Sequence, residues 1–171
     1  MNKPSFIISA PVDTYSGYGA RARDIVKSII ELDKYDVKIL PQRWGDTPSG
    51  FLENHDKWKF LQPLCIQNLT SKPDIWMQIT IPSEFQPVGT YNIGCTAGIE
   101  STGCASPWVE GLNKMDLNLV SSEHSKKVFK DIRFEQKDKQ TNQVVNIIKL
   151  EKPIEVIFEG VDLDTYFYKK P

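Results

Sequence analysis

Two glycines stand two residues apart in the stretch SGYGARARDIVKSI, residues 16–29. After them, apolar residues recur at the spacing that lines one face of a helix: Ala22, Ile25, Val26, Ile29 and Ile30. The charged residues between them are predicted to face away from the core, and these are Arg21, Arg23, Asp24, Lys27 and Glu31. A glycine turn at a helix N-terminus offers backbone N–H groups to an anion such as phosphate. Anion binding is therefore the first chemistry that this loop suggests.

Short apolar runs flank this helix on both sides. SFIISA, residues 5–10, ends at Pro11, and DVKIL, residues 36–40, ends at Pro41, so each run predicts a strand. A strand, a helix and a strand in this order predict a βαβ unit with parallel strands. Open parallel sheets bind ligands at the carboxyl ends of their strands, where the glycine loop would lie. The alternative is that Gly17 and Gly19 only turn the chain.

A dinucleotide-binding fingerprint is a third interpretation of this loop. Gly17, Gly19 and Ala22 fit the pattern G-x-G-x-x-A. In that motif, however, the first glycine follows the first strand almost directly and an acidic residue closes the second strand. Here residues 11–16 separate the strand from Gly17, and the second strand runs into LPQRW. This mismatch argues against a nicotinamide or flavin cofactor.

The alternation of strands and helices continues along the chain. Further strands are predicted around Ile75, Ile93, Leu117 and Glu155, the last of them from Ile154 to Phe158. One helix is predicted to start with Ser106 as its N-cap and Pro107 at its first position, and another with Ser121 or Ser122 as its N-cap. Residues 133–145 are polar and are predicted to form a surface insertion, a hairpin whose returning arm is VVNIIKL. The predicted fold is α/β and Rossmann-like, a largely parallel sheet with helices on both faces.

Composition limits the classes of function. The chain has 171 residues, 40% of them hydrophobic and 25% charged, which suits one globular domain. Its 22 acidic and 21 basic residues leave a net charge of −1, so no basic field points to nucleic acid. No apolar run approaches the roughly 20 residues of a membrane helix, and MNKPSF lacks the apolar part of a signal peptide, so we expect a cytoplasmic protein. Three cysteines and two histidines without ligand spacing predict no metal site.

A second glycine-bearing turn follows the strand YNIGCTA, residues 91–97. This turn, GIESTGCA, is the second candidate site, and Glu100 is its only ionisable group. A carboxylate here could orient a hydroxyl group or assist its deprotonation. The alternative is that Glu100 caps the backbone N–H groups of its own turn.

Three blocks occur in order: SGYGARARDIV, then residues 92–129, which contain MDLNLVSSEHSKKVF, then KPIEVIFEGVDLDTYF at residues 152–167. Together they resemble the N-terminal half of GT-B glycosyltransferases of the retaining family GT4, from about Phe6 to Phe167. The resemblance implies the acceptor-side half of an enzyme that moves a sugar from a nucleotide-sugar donor to a hydroxyl group of a glycan, a lipid or a small molecule. It implies a metal-independent reaction. It also implies no cofactor, because the nucleotide sugar is a substrate.

The resemblance also assigns roles to residues. It implies that Glu100 is the catalytic candidate, although many relatives carry a histidine near this position. It implies a donor and acceptor cleft lined by Ser16, Gly17, Tyr18, Gly19, Thr96, Gly98, Ile99, Ser101, Ser121 and Ser122. It places the crossover into the second domain at Glu159, Gly160, Val161 and Asp162, with the glycine permitting the bend.

The resemblance places the nucleotide-binding domain of the family beyond residue 171, so we expect residues 1–171 to be a single Rossmann-like domain without it. Two hypotheses follow. The chain is the acceptor-side half of a transferase, inactive by itself, or it is a non-catalytic module that uses the same fold for binding or assembly. The expected partners differ accordingly: a C-terminal domain in the first case, and self-association in the second.

Overall fold

The computed structural model describes residues 3–163 and 166–169. The elements that form the main body are β1 (Ser5–Ala10), α1 (Gly17–Glu31), β2 (Asp36–Pro41), α2 (Phe51–Asn54), a 3₁₀ segment (Asp56–Leu64), β3 (Ile75–Ile79), a 3₁₀ turn (Pro82–Glu84), β4 (Tyr91–Cys95), α3 (Ser106–Leu112), β5 (Leu117–Val120), α4 (Glu123–Asp131) and, after a hairpin, β8 (Ile154–Val156). Residues 164 and 165, which belong to the third block of the family resemblance, lie outside the described residues.

Six strands form one sheet in the order β2-β1-β3-β4-β5-β8. Every neighbouring pair is parallel, with Phe6 opposite both Val37 and Ile75, for example. All six predicted strands belong to this sheet, which confirms the prediction of an α/β, Rossmann-like fold.

Alternating residues of each strand pack on opposite faces of the sheet. In β1, Phe6 and Ile8 belong to the core cluster that contains Val26 of α1. Ile7 belongs to the other cluster, with Leu112 at the end of α3 and Phe129 of α4. Helices therefore cover both faces, as parallel sheets require.

The insertion forms the predicted hairpin. β6 (Arg133–Lys137) and β7 (Val144–Lys149) pair in antiparallel fashion as a separate two-stranded sheet. Most of its side chains are exposed. The hairpin thus interrupts the crossover from α4 to β8 without joining the main sheet.

Some predicted boundaries are wrong. Ser106 is already helical, and the residue in the N-cap position of α3 is Ala105, which has no side-chain cap. The last strand ends at Val156, two residues before the predicted Phe158, because only Asn118, Leu119 and Val120 of β5 pair with it. Ser122 does cap α4, since its side chain accepts a hydrogen bond from the Ser125 N–H.

Arg23 contradicts the prediction that the charged residues of α1 face solvent. It is only 3% exposed, because its guanidinium donates to the carbonyl oxygens of Val12 (2.8 Å) and Thr14 (3.0 Å). The guanidinium carbon also lies 3.4 Å from the ring centroid of Phe51. Burial lowers the pKa of Arg23 to about 10, so the group remains charged at neutral pH. Arg23 therefore ties the loop after β1 to α1 and α2.

No helix among residues 3–163 and 166–169 combines the length and the apolar character that a membrane span needs.

Replacing Arg23 with methionine is expected to lower the free energy of unfolding by about 2 to 4 kcal/mol, because two buried carbonyl groups lose their donor. Urea denaturation followed by circular dichroism measures this change. The control is Lys27→Met on the exposed face of α1, where Lys27 forms an ion pair with Glu31 one turn away and the expected loss is about 0.5 kcal/mol or less. Equal losses in the two variants would contradict an anchoring role for Arg23.

Candidate functional site

The loops after β1, β4 and β5 meet at the carboxyl edge of the sheet. The hydroxyl group of Tyr18, in the first turn of α1, lies 3.0 Å from Thr96 Oγ1 and accepts a hydrogen bond from the Ala97 N–H at 3.1 Å. Ser121, directly after β5, donates its hydroxyl to the Ala97 carbonyl oxygen at 2.7 Å. Side chains from three separated segments are thus joined around residues 96 and 97.

The first turn of α1 is only partly satisfied by protein groups. Ser16 is the N-cap, and its Oγ accepts the Gly19 N–H at 2.9 Å while lying 2.8 Å from Thr14 Oγ1. Within the described part of the chain, the N–H groups of Gly17 and Tyr18 have no hydrogen-bond partner. These two donors are open to an external acceptor, and the positive end of the helix dipole adds to their attraction for an anion.

The two glycines of this loop serve different purposes. A β-carbon at Gly19 would lie 2.5 Å from the Thr14 carbonyl oxygen and 2.9 Å from the Pro11 carbonyl oxygen, so only glycine fits. A β-carbon at Gly17 would meet no atom within 4 Å in the part of the chain that the structure describes. Gly19 therefore lets the helix pack against its own loop, whereas Gly17 keeps the space in front of the helix open.

Ser125 of α4 and the N-cap of that helix, Ser122, support the turn that follows β4. Gly98 has φ +92°, and a β-carbon there would collide with the Ser125 side chain, which makes glycine necessary. Ser125 Oγ accepts the Ile99 N–H at 3.0 Å and donates to the Ile99 carbonyl oxygen at 3.1 Å. Ser122 supports this arrangement because it caps α4 and donates to Ser125 Oγ at 3.0 Å. Gly98, Ile99 and Ser122 thus shape the turn.

Glu100 lies at the exposed tip of this turn. Its carboxylate accepts no hydrogen bond from the residues that the structure describes. Glu100 therefore does not cap the backbone N–H groups of its own turn, which was the alternative interpretation of this residue. The neighbouring Ser101 donates its hydroxyl to the Gly103 carbonyl oxygen at 2.9 Å, and His124 Nε2 lies 3.2 Å from the Ser101 carbonyl oxygen. These contacts hold the turn while the Glu100 carboxylate faces solvent.

A small pocket opens beside these loops. Its volume is about 230 Å³, and it is lined by Gly17, Tyr18, Arg21, Trp44, Ile79, Cys95, Thr96, Ala97 and Glu159. Trp44, in the loop after β2, stacks on Tyr18 with ring centroids 4.0 Å apart and planes 25° apart. Trp44 could not be identified from the sequence, because nothing in the polar stretch RWGDTPSG indicates which residue of that loop turns inward.

Two titratable side chains that line the pocket, Tyr18 and Cys95, are neutral at physiological pH. Burial raises the pKa of Tyr18, although the hydrogen bonds with Thr96 and Ala97 oppose this shift. Burial also raises the pKa of the Cys95 thiol to about 11, although the nearby Arg21 guanidinium opposes this shift. Neither group is therefore an ionised nucleophile at neutral pH, and both present mainly apolar surface to the pocket.

Arg21 contradicts its sequence-based prediction too, since only 11% of its side chain is exposed. Its Nη2 donates to the Ile157 carbonyl oxygen, and its Nε lies 3.8 Å from Glu159 Oε1. Within the described residues, the buried Nε has no hydrogen-bond partner. The pocket therefore contains a cation whose hydrogen-bonding capacity is not fully used.

The predicted crossover residues run beside α1 after β8. Glu159 faces Arg21, and Asp162 forms an ion pair with Lys57, while Gly160 and Val161 are exposed. Gly160 has no positive φ, and a β-carbon there would meet no atom of the described residues within 4 Å. The bend in this segment therefore does not require glycine in this structure.

Comparisons with known proteins return no relative for this chain. No family model, no curated protein and no solved structure matches it. Within residues 3–163 and 166–169, no three His, Cys, Asp or Glu side chains are grouped as a metal site would require.

Gly19→Ala is expected to lower the free energy of unfolding by about 1 to 3 kcal/mol, because the added methyl group is forced against two carbonyl oxygens. Gly17→Ala is expected to leave stability unchanged or to raise it by up to about 1 kcal/mol, because alanine costs less backbone entropy in a helix. Thermal and urea unfolding of the two variants measure both effects. A large loss from Gly17→Ala would mean that this position, too, is needed for folding.

Proposed function

We propose that this chain is the acceptor-side, Rossmann-like domain of a retaining glycosyltransferase of the GT4 type. The observation that carries the proposal is the meeting of the loops after β1, β4 and β5 at one edge of the sheet, through Tyr18, Ala97 and Ser121. A transfer reaction needs donor and acceptor held at one place, and this edge offers open N–H groups, hydroxyl groups and a carboxylate together.

Each part of the edge suits one part of such a reaction. The free N–H groups of Gly17 and Tyr18 fit a phosphate oxygen of a nucleotide-sugar donor. The uncapped carboxylate of Glu100 is available to orient the acceptor hydroxyl or to assist its deprotonation. The phenol of Tyr18 stays protonated and braces the two loops, so its role is to position them rather than to transfer a proton.

The proposal requires a further nucleotide-binding domain. Among the described residues, Arg21 is the only cation that lines the pocket, and it already contacts Ile157 and faces Glu159. The developing charge of a departing nucleoside diphosphate needs basic groups arranged in advance, and holding both substrates in line contributes roughly 7 to 11 kcal/mol to catalysis. We therefore assign donor binding mainly to another domain or chain, and acceptor binding to this one.

The 171-residue chain by itself is expected to bind nucleotide sugars weakly and to transfer no sugar. Calorimetry with several nucleotide sugars and a radiolabel transfer assay measure these two properties. The matched sample is the native protein isolated from its source, for which we expect transfer with retention of anomeric configuration. The proposal fails if the native protein transfers no sugar, or if the 171-residue chain turns over robustly by itself.

Glu100→Gln, made in the active native protein, is expected to slow transfer by more than about tenfold, because a positioned acid or base contributes on the order of 10² or more. The melting temperature is expected to stay unchanged, since the carboxylate accepts no hydrogen bond from the described residues. Glu123→Gln, in the first turn of the neighbouring helix α4, is the control and is expected to keep full activity. Unchanged turnover in Glu100→Gln would remove Glu100 from the mechanism.

A non-catalytic assembly module is the second candidate, and one observation favours it. Large apolar side chains are exposed along the segment after β8, among them Phe158, Leu163, Phe167 and Tyr168. Such a surface suits contact with another protein surface. Sedimentation velocity at micromolar concentration separates the two candidates: stable self-association favours the module, and a strictly monomeric particle counts against it.

A further inference from the structure

In the pocket beside α1, the hydrogen-bonding capacity of the Arg21 guanidinium is not fully satisfied. Its Nε is buried and has no hydrogen-bond partner among the described residues, while Nη2 is used by the Ile157 carbonyl oxygen. Proteins pair nearly all buried polar atoms, and a buried cationic donor without an acceptor is costly. An unpaired donor in the wall of a pocket indicates a ligand that brings the acceptor.

No protein carboxylate fully balances this cation. Glu159 is the only acidic residue among the described residues that line the pocket, and its Oε1 lies 3.8 Å from Arg21 Nε, beyond hydrogen-bond distance. The Glu159 side chain is 60% exposed, so water screens the pair. Glu159 therefore offsets the charge of Arg21 only in part. The guanidinium still attracts a second anion that comes within hydrogen-bond distance of it.

The other residues that line the pocket indicate the size and the apolar character of the uncharged part of that ligand. The stacked rings of Tyr18 and Trp44, together with Ile79 and the neutral Cys95 thiol, make the pocket mainly apolar. Its volume of about 230 Å³ accommodates a single ring rather than a polymer. A flat or ring-shaped group can pack against the aromatic walls while its charged group reaches Arg21.

We infer that this pocket binds a small organic anion, a ring-sized molecule carrying one carboxylate or phosphate group, with Arg21 as the group that recognises the charge. The inference rests on the proposed function and refines it, because it makes the sugar acceptor an acidic molecule. Arg21 is thereby a residue that determines acceptor specificity, separate from the N–H groups of α1 assigned to the donor.

Calorimetric titration of the 171-residue chain with two matched pairs of probes tests the inference. The pairs are a hexose phosphate with the unphosphorylated hexose, and 4-hydroxybenzoate with phenol. We expect the anion of at least one pair to bind at least about tenfold more tightly than its neutral partner, as for a charge-assisted hydrogen bond. Comparing the two anions distinguishes phosphate from carboxylate.

Variants at the ion pair sharpen the test. Arg21→Gln is expected to remove most of the preference for the anion and to leave only the weaker contribution of the open Gly17 and Tyr18 N–H groups, and Arg21→Lys to retain a larger part of it. Glu159→Gln is expected to strengthen anion binding by about two- to fivefold, because it removes the competing carboxylate. Lys27→Gln makes the same change of net charge as Arg21→Gln, outside the pocket, and is expected to change nothing. Circular dichroism checks that all four variants are folded.

Equal binding of charged and neutral probes, or no binding of either up to about 10 mM, overturns the inference. So does an anion preference that is undiminished in Arg21→Gln or falls equally in Lys27→Gln. None of these outcomes determines the result of the sugar-transfer assay on the native protein, so failure of this inference is distinguishable from failure of the proposed function. Conversely, anion binding that depends on Arg21 in a protein that transfers no sugar would refute the glycosyltransferase proposal alone.

Discussion

The parallel alignment of six strands is the constraint on which the rest of the structure depends. Because every strand runs in the same direction, all carboxyl ends reach one edge, and every connection must return across a face of the sheet. The loops after β1, β4 and β5 are therefore neighbours although they are far apart in the chain. Tyr18 then needs only one hydroxyl group to join the first two of these loops. The position of the candidate site therefore follows from the parallel strand topology, and individual residues such as Tyr18 only complete it.

Buried side chains next to the site preserve this geometry. Arg23 holds the carbonyl oxygens of Val12 and Thr14, so the loop before α1 is fixed from behind. Gly19 allows the same loop to approach the helix, and Ser16 consumes one N–H group of its first turn. What remains open is a short row of donors at Gly17 and Tyr18. An anion that meets these donors finds them already oriented, which lowers the entropic cost of binding.

The sequence predicted the sheet well because strand and helix periodicities are local properties of the chain. The six strands and the inward stripe of α1 follow from apolar spacing alone, as in Ile8 and Val26. The buried arginines could not be predicted in this way, since a charged residue on a helix is usually solvated. Arg21 and Arg23 are buried because carbonyl oxygens of other segments meet them, at Ile157 for one and at Val12 and Thr14 for the other. Trp44 likewise reaches Tyr18 from a loop without periodicity.

We propose that the loops at the carboxyl edge of the sheet form one ligand-binding surface. Chemical-shift mapping of backbone amides in the ¹⁵N-labelled chain, during titration with a hexose phosphate, tests it most directly. We expect the largest shifts at Gly17, Tyr18, Arg21, Ala97 and Ser121, with smaller shifts at Trp44. Shifts concentrated on the hairpin of residues 133–149, or spread evenly over the surface, would contradict it.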